Sequence, residues 1–326
     1  MKIFVYSMRN YDELPYFKKF SDVYSVPFDY VKEAPSLDNL SLAKGYEAIS
    51  VVTTPVDAEM LDKMHELGIK YLGTRTIGYD HIDIEYARQL GIRVAHAKYS
   101  PDSVANYAIA LILSGCRKIN LISSQFKKQD YSLKGKMGIE ISNATVGVIG
   151  TGAIGKTVIK RLYGFGCRIL AYDIYPNDEV RKYAEYVDLE HIYQKSDIIT
   201  LHAPATKDNY HMLNEKAFSK MKDGVIIVNC ARGALIHTEA LLNGLDSGKI
   251  GFAGLDVLEN EEYLHSIGED AGEECLRVLK KINENSNVVL TPHTAFYTAL
   301  AVSDMVESCI QGIISLKKDE ETFKIK

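Results

Sequence analysis

Short apolar runs alternate along the chain with segments whose apolar residues recur at helical spacing. Ile3–Tyr6, Val26–Tyr30, Ala48–Thr53 and Tyr71–Thr74 form a first series of candidate strands. A second series comprises Thr145–Ile149, Ile169–Tyr172, Ile198–Leu201, Val225–Asn229, Gly254–Val257 and Val288–Leu290. Helical patterns at Ala58–Leu67, Ile154–Tyr163, Glu215–Met221 and Thr238–Ser247 fall between them. Apolar strands separated by helices predict an α/β protein with parallel sheets covered on both faces. Ser100-Pro101 reads as an N-cap and first-turn proline, opening a helix whose apolar face runs through Val104, Tyr107, Ala108, Leu111 and Ile112. A last helical pattern spans Thr298–Ile314. The expected division is residues 1–99 with 298–326 as one domain and residues 100–297 as a larger second one.

Composition adds mostly exclusions. A chain of 326 residues is too long for one ordinary core, which agrees with two domains. Hydrophobic residues make up 46% and charged residues 25%, as in soluble globular proteins, and the net charge of −5 gives no reason to expect nucleic acid or an anionic membrane as partner. No apolar run approaches the ~20 residues of a membrane span, and the N-terminus lacks the pattern of a signal peptide. A cytoplasmic location is the expectation. Cys116, Cys167, Cys230, Cys275 and Cys309 are scattered and form no Cys-x-x-Cys pair, so they read as small buried hydrophobes, and no metal site is expected.

The first motif with chemistry is Gly150-Thr-Gly152-Ala-Ile-Gly155, set between a strand and an amphipathic helix. Alone, three such glycines can be a turn. In this context Gly150 serves the tight turn, Gly152 lets backbone approach a pyrophosphate, and Gly155 lets helix and strand pack closely, with the phosphate at the positive helix end. Asp173 ends the next strand, close to the expected distance of about 20 residues. Its alternative is a turn residue before Tyr175-Pro176. As a carboxylate it accepts from both ribose hydroxyls and repels a 2′-phosphate, so NAD is the expected cofactor rather than NADP.

Three further strands end in polar residues: Asn229-Cys-Ala-Arg232, Asp256 with Glu261, and Thr291-Pro-His293. Singly, Arg232 could be a surface arginine, Glu261 one acid among several and His293 a turn cap. Together, at the carboxyl ends of parallel strands where α/β proteins bind ligands, they suit reduction of a 2-keto acid. Arginine offers a carboxylate a fixed fork of donors. A protonated histidine donates to the oxygen on which charge develops, and a neighbouring glutamate favours that imidazolium by raising its pKa.

Over almost its full length the chain resembles the D-isomer-specific 2-hydroxyacid dehydrogenase family. The matching elements are Gly150–Gly155, Asp173, Leu201-His-Ala-Pro204, Asn229-Cys-Ala-Arg-Gly233, Asp256, Glu261 and Pro292-His293. Thr74-Arg-Thr-Ile-Gly78, Tyr99-Ser-Pro-Asp-Ser103 and His293-Thr-Ala-Phe-Tyr-Thr298 are similar to its D-lactate dehydrogenase branch, including the vancomycin-resistance type. The resemblance implies two Rossmann-like, doubly wound parallel-sheet domains with the active site in the cleft between them. The first would be a flavodoxin-like substrate domain and the second an NAD-binding domain. It implies Arg232, Glu261 and His293 as the catalytic set. Ile77, Gly78, Tyr99 and Phe296 would join Arg232 and His293 at the substrate, while Ile154, Ala203, Pro204, Asn209, Cys230, Ala231 and Asp256 would join the glycines and Asp173 at NAD. It further implies a homodimer formed through the nucleotide-binding domains.

Two local departures bear on the substrate. Many fermentative D-lactate enzymes carry an aromatic residue after the third strand, whereas this chain has Val51-Val-Thr-Thr-Pro55. Relatives acting on branched or aromatic keto acids usually have Leu-Gly after the histidine, whereas this chain has Thr294-Ala295. Weighing the second more gives D-lactate dehydrogenase as the expectation. The alternatives are reduction of 2-ketobutyrate, 2-ketoisocaproate or phenylpyruvate, or an NAD(H)-sensing co-regulator.

Overall fold

The computed structural model describes residues 1–260 and 273–320. The chain divides into two compact units, Met1–Ser100 with Tyr297–Lys326, and Pro101–Phe296.

The first unit is built on β1 (Ile3–Val5), β2 (Phe28–Tyr30), β3 (Ala48–Val51), β4 (Tyr71–Thr74) and β5 (Arg93–His96). All pair in parallel, in the order β2-β1-β3-β4-β5. The period of two along β1 and the residue after it, Ile3 to Tyr6, shows why both faces need cover. Phe4 and Tyr6 join one buried cluster with Met60, Leu61 and Met64 of α2 (Ala58–Glu66). Ile3 and Val5 join another with Phe17 and Phe20 of α1 (Leu14–Tyr24) and with Val306, Cys309 and Ile313. Asp57 caps α2 by accepting from the Met60 amide, and Asp83 caps α3 (Ile84–Gln89) by accepting from Tyr86, which satisfies amides that a helix start leaves open.

The second unit carries seven parallel strands in the order β12-β11-β10-β9-β6-β7-β8. They are β6 (Thr145–Ile149), β7 (Arg168–Tyr172), β8 (Glu185–Tyr186), β9 (Ile198–Leu201), β10 (Val225–Asn229), β11 (Ile250–Leu255) and β12 (Val288–Leu290). Around them lie α4 (Asp102–Cys116), α5 (Ile119–Lys127), α6 (Ala153–Tyr163), α7 (Leu189–Lys195), α8 (Glu215–Lys220), α9 (Thr238–Asp246) and α10 (Glu273–Glu284). The strand order reverses between β6 and β9, so their carboxyl ends flank the crevice at which such sheets take ligands.

Several elements differ from those expected. β5 and β8 were not among the expected strands: β5 is four residues with polar ends, and β8 is a two-residue edge strand. β11 begins before the expected Gly254 and stops before Asp256. Its glycines weaken the β signal, yet space requires them, since a Cβ on Gly251 would lie 2.6 Å from the Gly224 carbonyl oxygen and one on Gly254 would lie 2.9 Å from the Leu111 Cβ. The helix expected from Ser100-Pro101 starts at Asp102, with Pro101 as its cap.

The last helix, α11 (Ala299–Lys317), is long and apolar enough to cross a membrane by length and composition alone, contrary to the sequence reading. Its apolar residues are buried against β4, β5 and α1, as in the core helix of a globular unit. A Cβ on Gly73 of β4 would lie 2.7 Å from Ile313, which shows how closely it packs. Cys116, Cys167, Cys230 and Cys309 are buried and free, while Cys275 falls outside the residues whose side chains are described.

Candidate active site

The glycine loop leaves β6 and enters α6. Gly150 adopts φ +93°, and a Cβ there would lie 2.5 Å from the Ala203 amide at the end of β9. A Cβ on Gly155 would lie 1.9 Å from the Gly150 carbonyl oxygen, which is backbone against backbone and cannot yield. A Cβ on Gly152 would meet nothing within 4 Å. Two glycines therefore close the turn and the third holds open space at a helix N-terminus, an arrangement that fits the pyrophosphate of a dinucleotide. Ile154 lies half-buried on the first turn of α6.

Asp173 follows β7 and meets the loop directly. Its Oδ2 accepts from the Thr151 amide at 2.6 Å and from Thr151 Oγ1 at 3.0 Å, and its Oδ1 accepts from the Tyr175 amide at 2.9 Å. Behind the glycines lies His202, whose Nε2 is 2.9 Å from Thr200 Oγ1. Its Nδ1 is buried without a hydrogen bond, although the residue as a whole keeps some exposure. Burial lowers this imidazole from 6.5 to about 4, so it is neutral at physiological pH. The loop that follows places Ala203 and Pro204 at the same edge. Asn209 holds this loop in shape, accepting from the Thr206 amide at 2.7 Å and donating to the Pro204 carbonyl at 2.8 Å.

β10, β11 and β12 are parallel neighbours, so the residues after them share that edge. Buried Asn229 shapes the first turn: its Oδ1 accepts from the Ala231 amide and its Nδ2 donates to the Arg232 carbonyl, both at 2.9 Å. Arg232 follows, half-buried, donating through Nη1 to the Ala231 carbonyl at 2.8 Å. A Cβ on Gly233 would lie 2.1 Å from the Leu258 carbonyl carbon, so the loops after β10 and β11 press together where only glycine fits. Cys230 is buried, and burial, reinforced by the Asp256 charge, pushes its thiol up.

Asp256 is 1% exposed, and its carboxylate is committed to the turn that carries His293. It accepts from Thr291 Oγ1 at 2.6 Å, the Thr294 amide at 2.8 Å and the Ala295 amide at 2.8 Å. Burial raises its pKa, against the opposing pull of these donors and of the His293 charge. His293 itself adopts φ +52°, which costs a residue with a Cβ about 1–2 kcal/mol. Two bonds from its amide, to the Asp256 carbonyl at 2.8 Å and the Thr291 carbonyl at 3.0 Å, hold it there. Phe296 follows, partly buried.

Glu261 lies outside the described residues. Two positions earlier, Glu259 ties its own loop to the start of α9 and to the loop at Tyr210–His211. It takes hydrogen bonds from Thr238 Oγ1 at 3.0 Å and from the Tyr210 hydroxyl at 3.1 Å, and it pairs with His211. Burial pushes Glu259 up, but the bonds from His211 and Thr238 outweigh it and lower its pKa.

Ile77, Gly78 and Tyr99 belong to the first unit. Ile77 and Gly78 follow β4, where Thr76 Oγ1 donates to the Gly78 carbonyl at 2.6 Å. Just before them Arg75 is fully buried, a residue the site reading passed over. Its guanidinium bonds Glu13 Oε1 at 2.9 Å, Ser50 Oγ at 2.9 Å, the Tyr6 carbonyl at 2.9 Å and the Ser7 carbonyl at 3.1 Å. Tyr99 is half-buried beyond β5. Among the described residues no group of three or more His, Cys, Asp or Glu is placed to hold a metal ion.

The doubly wound sheet and its glycine loop define a dinucleotide-binding unit. The family model for the D-isomer specific 2-hydroxyacid dehydrogenase NAD binding domain matches residues 109–295. An aromatic 2-oxoacid reductase of Clostridium sporogenes is 44% identical over 96% of this chain and 95% of its own. A D-lactate dehydrogenase of Lactiplantibacillus plantarum is 39% identical over 94% and 93%. The solved D-2-hydroxyisocaproate dehydrogenase superposes with a TM-score of 0.88 at 37% identity, covering 100% of this chain and 99% of that one. The chain belongs to the D-isomer specific 2-hydroxyacid dehydrogenase family, whose members are NAD-dependent oxidoreductases acting on CH–OH groups.

Proposed function

We propose that the chain reduces pyruvate to D-lactate, with Arg232, Glu261 and His293 as its catalytic set. The observation that carries this reading is the turn built on buried Asp256, which spends a strained backbone on presenting His293 at the strand edge shared with Arg232. NAD(H) bound at Gly150–Gly155 and Asp173 supplies or accepts the hydride. The guanidinium of Arg232 pairs with the substrate carboxylate through two donors, which an ammonium cannot reproduce. His293 gives its proton to the keto oxygen as charge develops there and recovers one from the hydroxyl in the reverse direction. Glu261 favours the charged imidazole. Thr294-Ala295 after the histidine supports a small substrate. The absence of an aromatic residue in Val51–Pro55 supports a second reading, a larger or aromatic 2-oxo acid, as does the 44% identity to the clostridial aromatic 2-oxoacid reductase.

His293→Ala is expected to lower kcat by about 10²–10⁴-fold while NADH binding stays unchanged. Near-normal turnover would remove the proton-donor assignment. A panel of pyruvate, 2-ketoisocaproate and phenylpyruvate separates the two substrate readings: the first predicts the highest kcat/KM with pyruvate, and a maximum at phenylpyruvate replaces it with the second.

The protein is further proposed to act in the cytoplasm as a homodimer joined through its second unit. α5 buries none of its residues, and Ile119, Ile122, Phe126, Leu133 and Met137 on and after it stand exposed. An apolar surface of this kind is what a self-association interface presents.

A further inference from the structure

The carboxylate of Asp173 stands at the end of a chain of hydroxyl groups that runs into the second unit. Thr151, between the first two glycines of the loop, is 3% exposed. Its Oγ1 lies 3.0 Å from Asp173 Oδ2 and 2.7 Å from the Tyr186 hydroxyl, and that hydroxyl lies 2.9 Å from the Asn177 amide nitrogen. The two ends fix the direction of every proton. An amide N–H can only donate and a carboxylate can only accept. Asn177 therefore donates to Tyr186, Tyr186 to Thr151 and Thr151 to Asp173. Each hydroxyl has one proton and each is spent toward the carboxylate. The edge strand β8 delivers the tyrosine, since Tyr186 is the register partner of Ala171 in β7. The Arg181 guanidinium sits 5.0 Å from the centre of its ring.

We propose that Thr151 and Tyr186 are positioning residues that set cofactor choice through Asp173. Hydrogen bonds in series polarise one another, and the last one here ends on an ion. The chain holds the carboxylate, which can only accept, in one orientation, which suits the two hydroxyls of an unmodified ribose. It also leaves neither hydroxyl proton available to a 2′-phosphate, which meets a fixed negative charge and no donor from this chain. Tyr186 lies outside the glycine motif and was invisible to it. The inference rests on Asp173 being the ribose contact, and the experiment separates the two claims.

The test is a set of binding titrations with NADH and NADPH on Asp173→Ala, Tyr186→Phe, Thr151→Val and the double variant Asp173→Ala/Tyr186→Phe, with thermal unfolding alongside. Tyr186→Phe and Thr151→Val are each expected to weaken NADH about 5- to 10-fold, as the loss of a hydrogen bond coupled to a charged group implies. The NADH-to-NADPH preference should fall with it. Thr151→Ser keeps the hydroxyl and should restore binding. In the Asp173→Ala background Tyr186→Phe should change affinity less than about twofold, because the residue through which it acts is gone. An equal loss in both backgrounds makes Tyr186 merely structural and overturns the proposal, as does unchanged NADH binding in the single variants. If Asp173→Ala itself leaves NADH binding intact, the ribose assignment fails first. Should Tyr186→Phe not fold, Thr151→Val and Thr151→Ser decide the matter.

Discussion

His202 shows how one side chain can write itself into the stability of the second unit. Its imidazole is held at about 4 by burial against an ordinary 6.5, so the folded state keeps it neutral across a range in which the unfolded chain takes up a proton. The folded value is the lower one, so the unfolded state binds more protons between the two. Stability contributed by this group is complete above pH 6.5, declines as pH falls toward 4 and is flat below. The linkage amounts to about 3 kcal/mol between pH 7 and 4, since each pKa unit corresponds to ~1.4 kcal/mol. His202→Asn keeps a polar group near Thr200 and cannot titrate. Urea unfolding of wild type from pH 7 to 4 should show a loss of this size that the variant lacks. Parallel pH curves for the two proteins would discard His202 as its source. Asp256 makes the opposite point about a single residue. In sequence it is one acid in an acidic stretch. In three dimensions its carboxylate is enclosed and takes up the amides that make the His293 turn possible.

At the scale of elements, the strand–loop–helix joining β6 to α6 makes two of its glycines separable by experiment. Gly155→Ala drives a Cβ into the Gly150 carbonyl, where no side chain can move aside, and overpacking of this kind costs about 1–3 kcal/mol or more. Both the unfolding midpoint and NADH affinity should fall. Gly152→Ala places its Cβ in open space. Its midpoint should stay within a degree or two of wild type while NADH affinity drops, because the methyl group occupies the room left for the pyrophosphate. A Gly152→Ala protein that binds NADH normally would mean that the cofactor does not approach there. The loops after β10 and β11 repeat the device at Gly233, where glycine lets the Arg232 loop lie against Leu258.

At the scale of the whole molecule, the exposed apolar residues on and after α5 predict association. Phe126 is 63% exposed, Leu133 87% and Met137 86%. Phe126→Asp combined with Met137→Asp should convert a dimer into a species sedimenting at the 36.4 kDa of one chain, with unchanged unfolding of the remaining core. A wild-type protein that sediments as a monomer at micromolar concentration would remove the homodimer from the proposed function.

The sequence by itself determined what local pattern encodes. The main strands, several of the helices between them, the glycine loop with Asp173 and the polar residues that follow the strands were readable, because apolar periodicity, glycine spacing and chain reversal act over a few neighbouring residues. Only the tertiary structure decided what depends on partners distant in the chain. β5 and β8 exist because neighbouring strands offer them hydrogen bonds that their own short, polar-ended sequences do not advertise. Arg75 needs Glu13, Ser50 and the Tyr6 and Ser7 carbonyls just after β1 before its charge can be buried at all. Thr151 and Tyr186 acquire a direction for their protons only when β8 sets them beside Asp173. Hydrogen-bond direction and desolvation are properties of assembled surroundings, which no stretch of sequence contains alone.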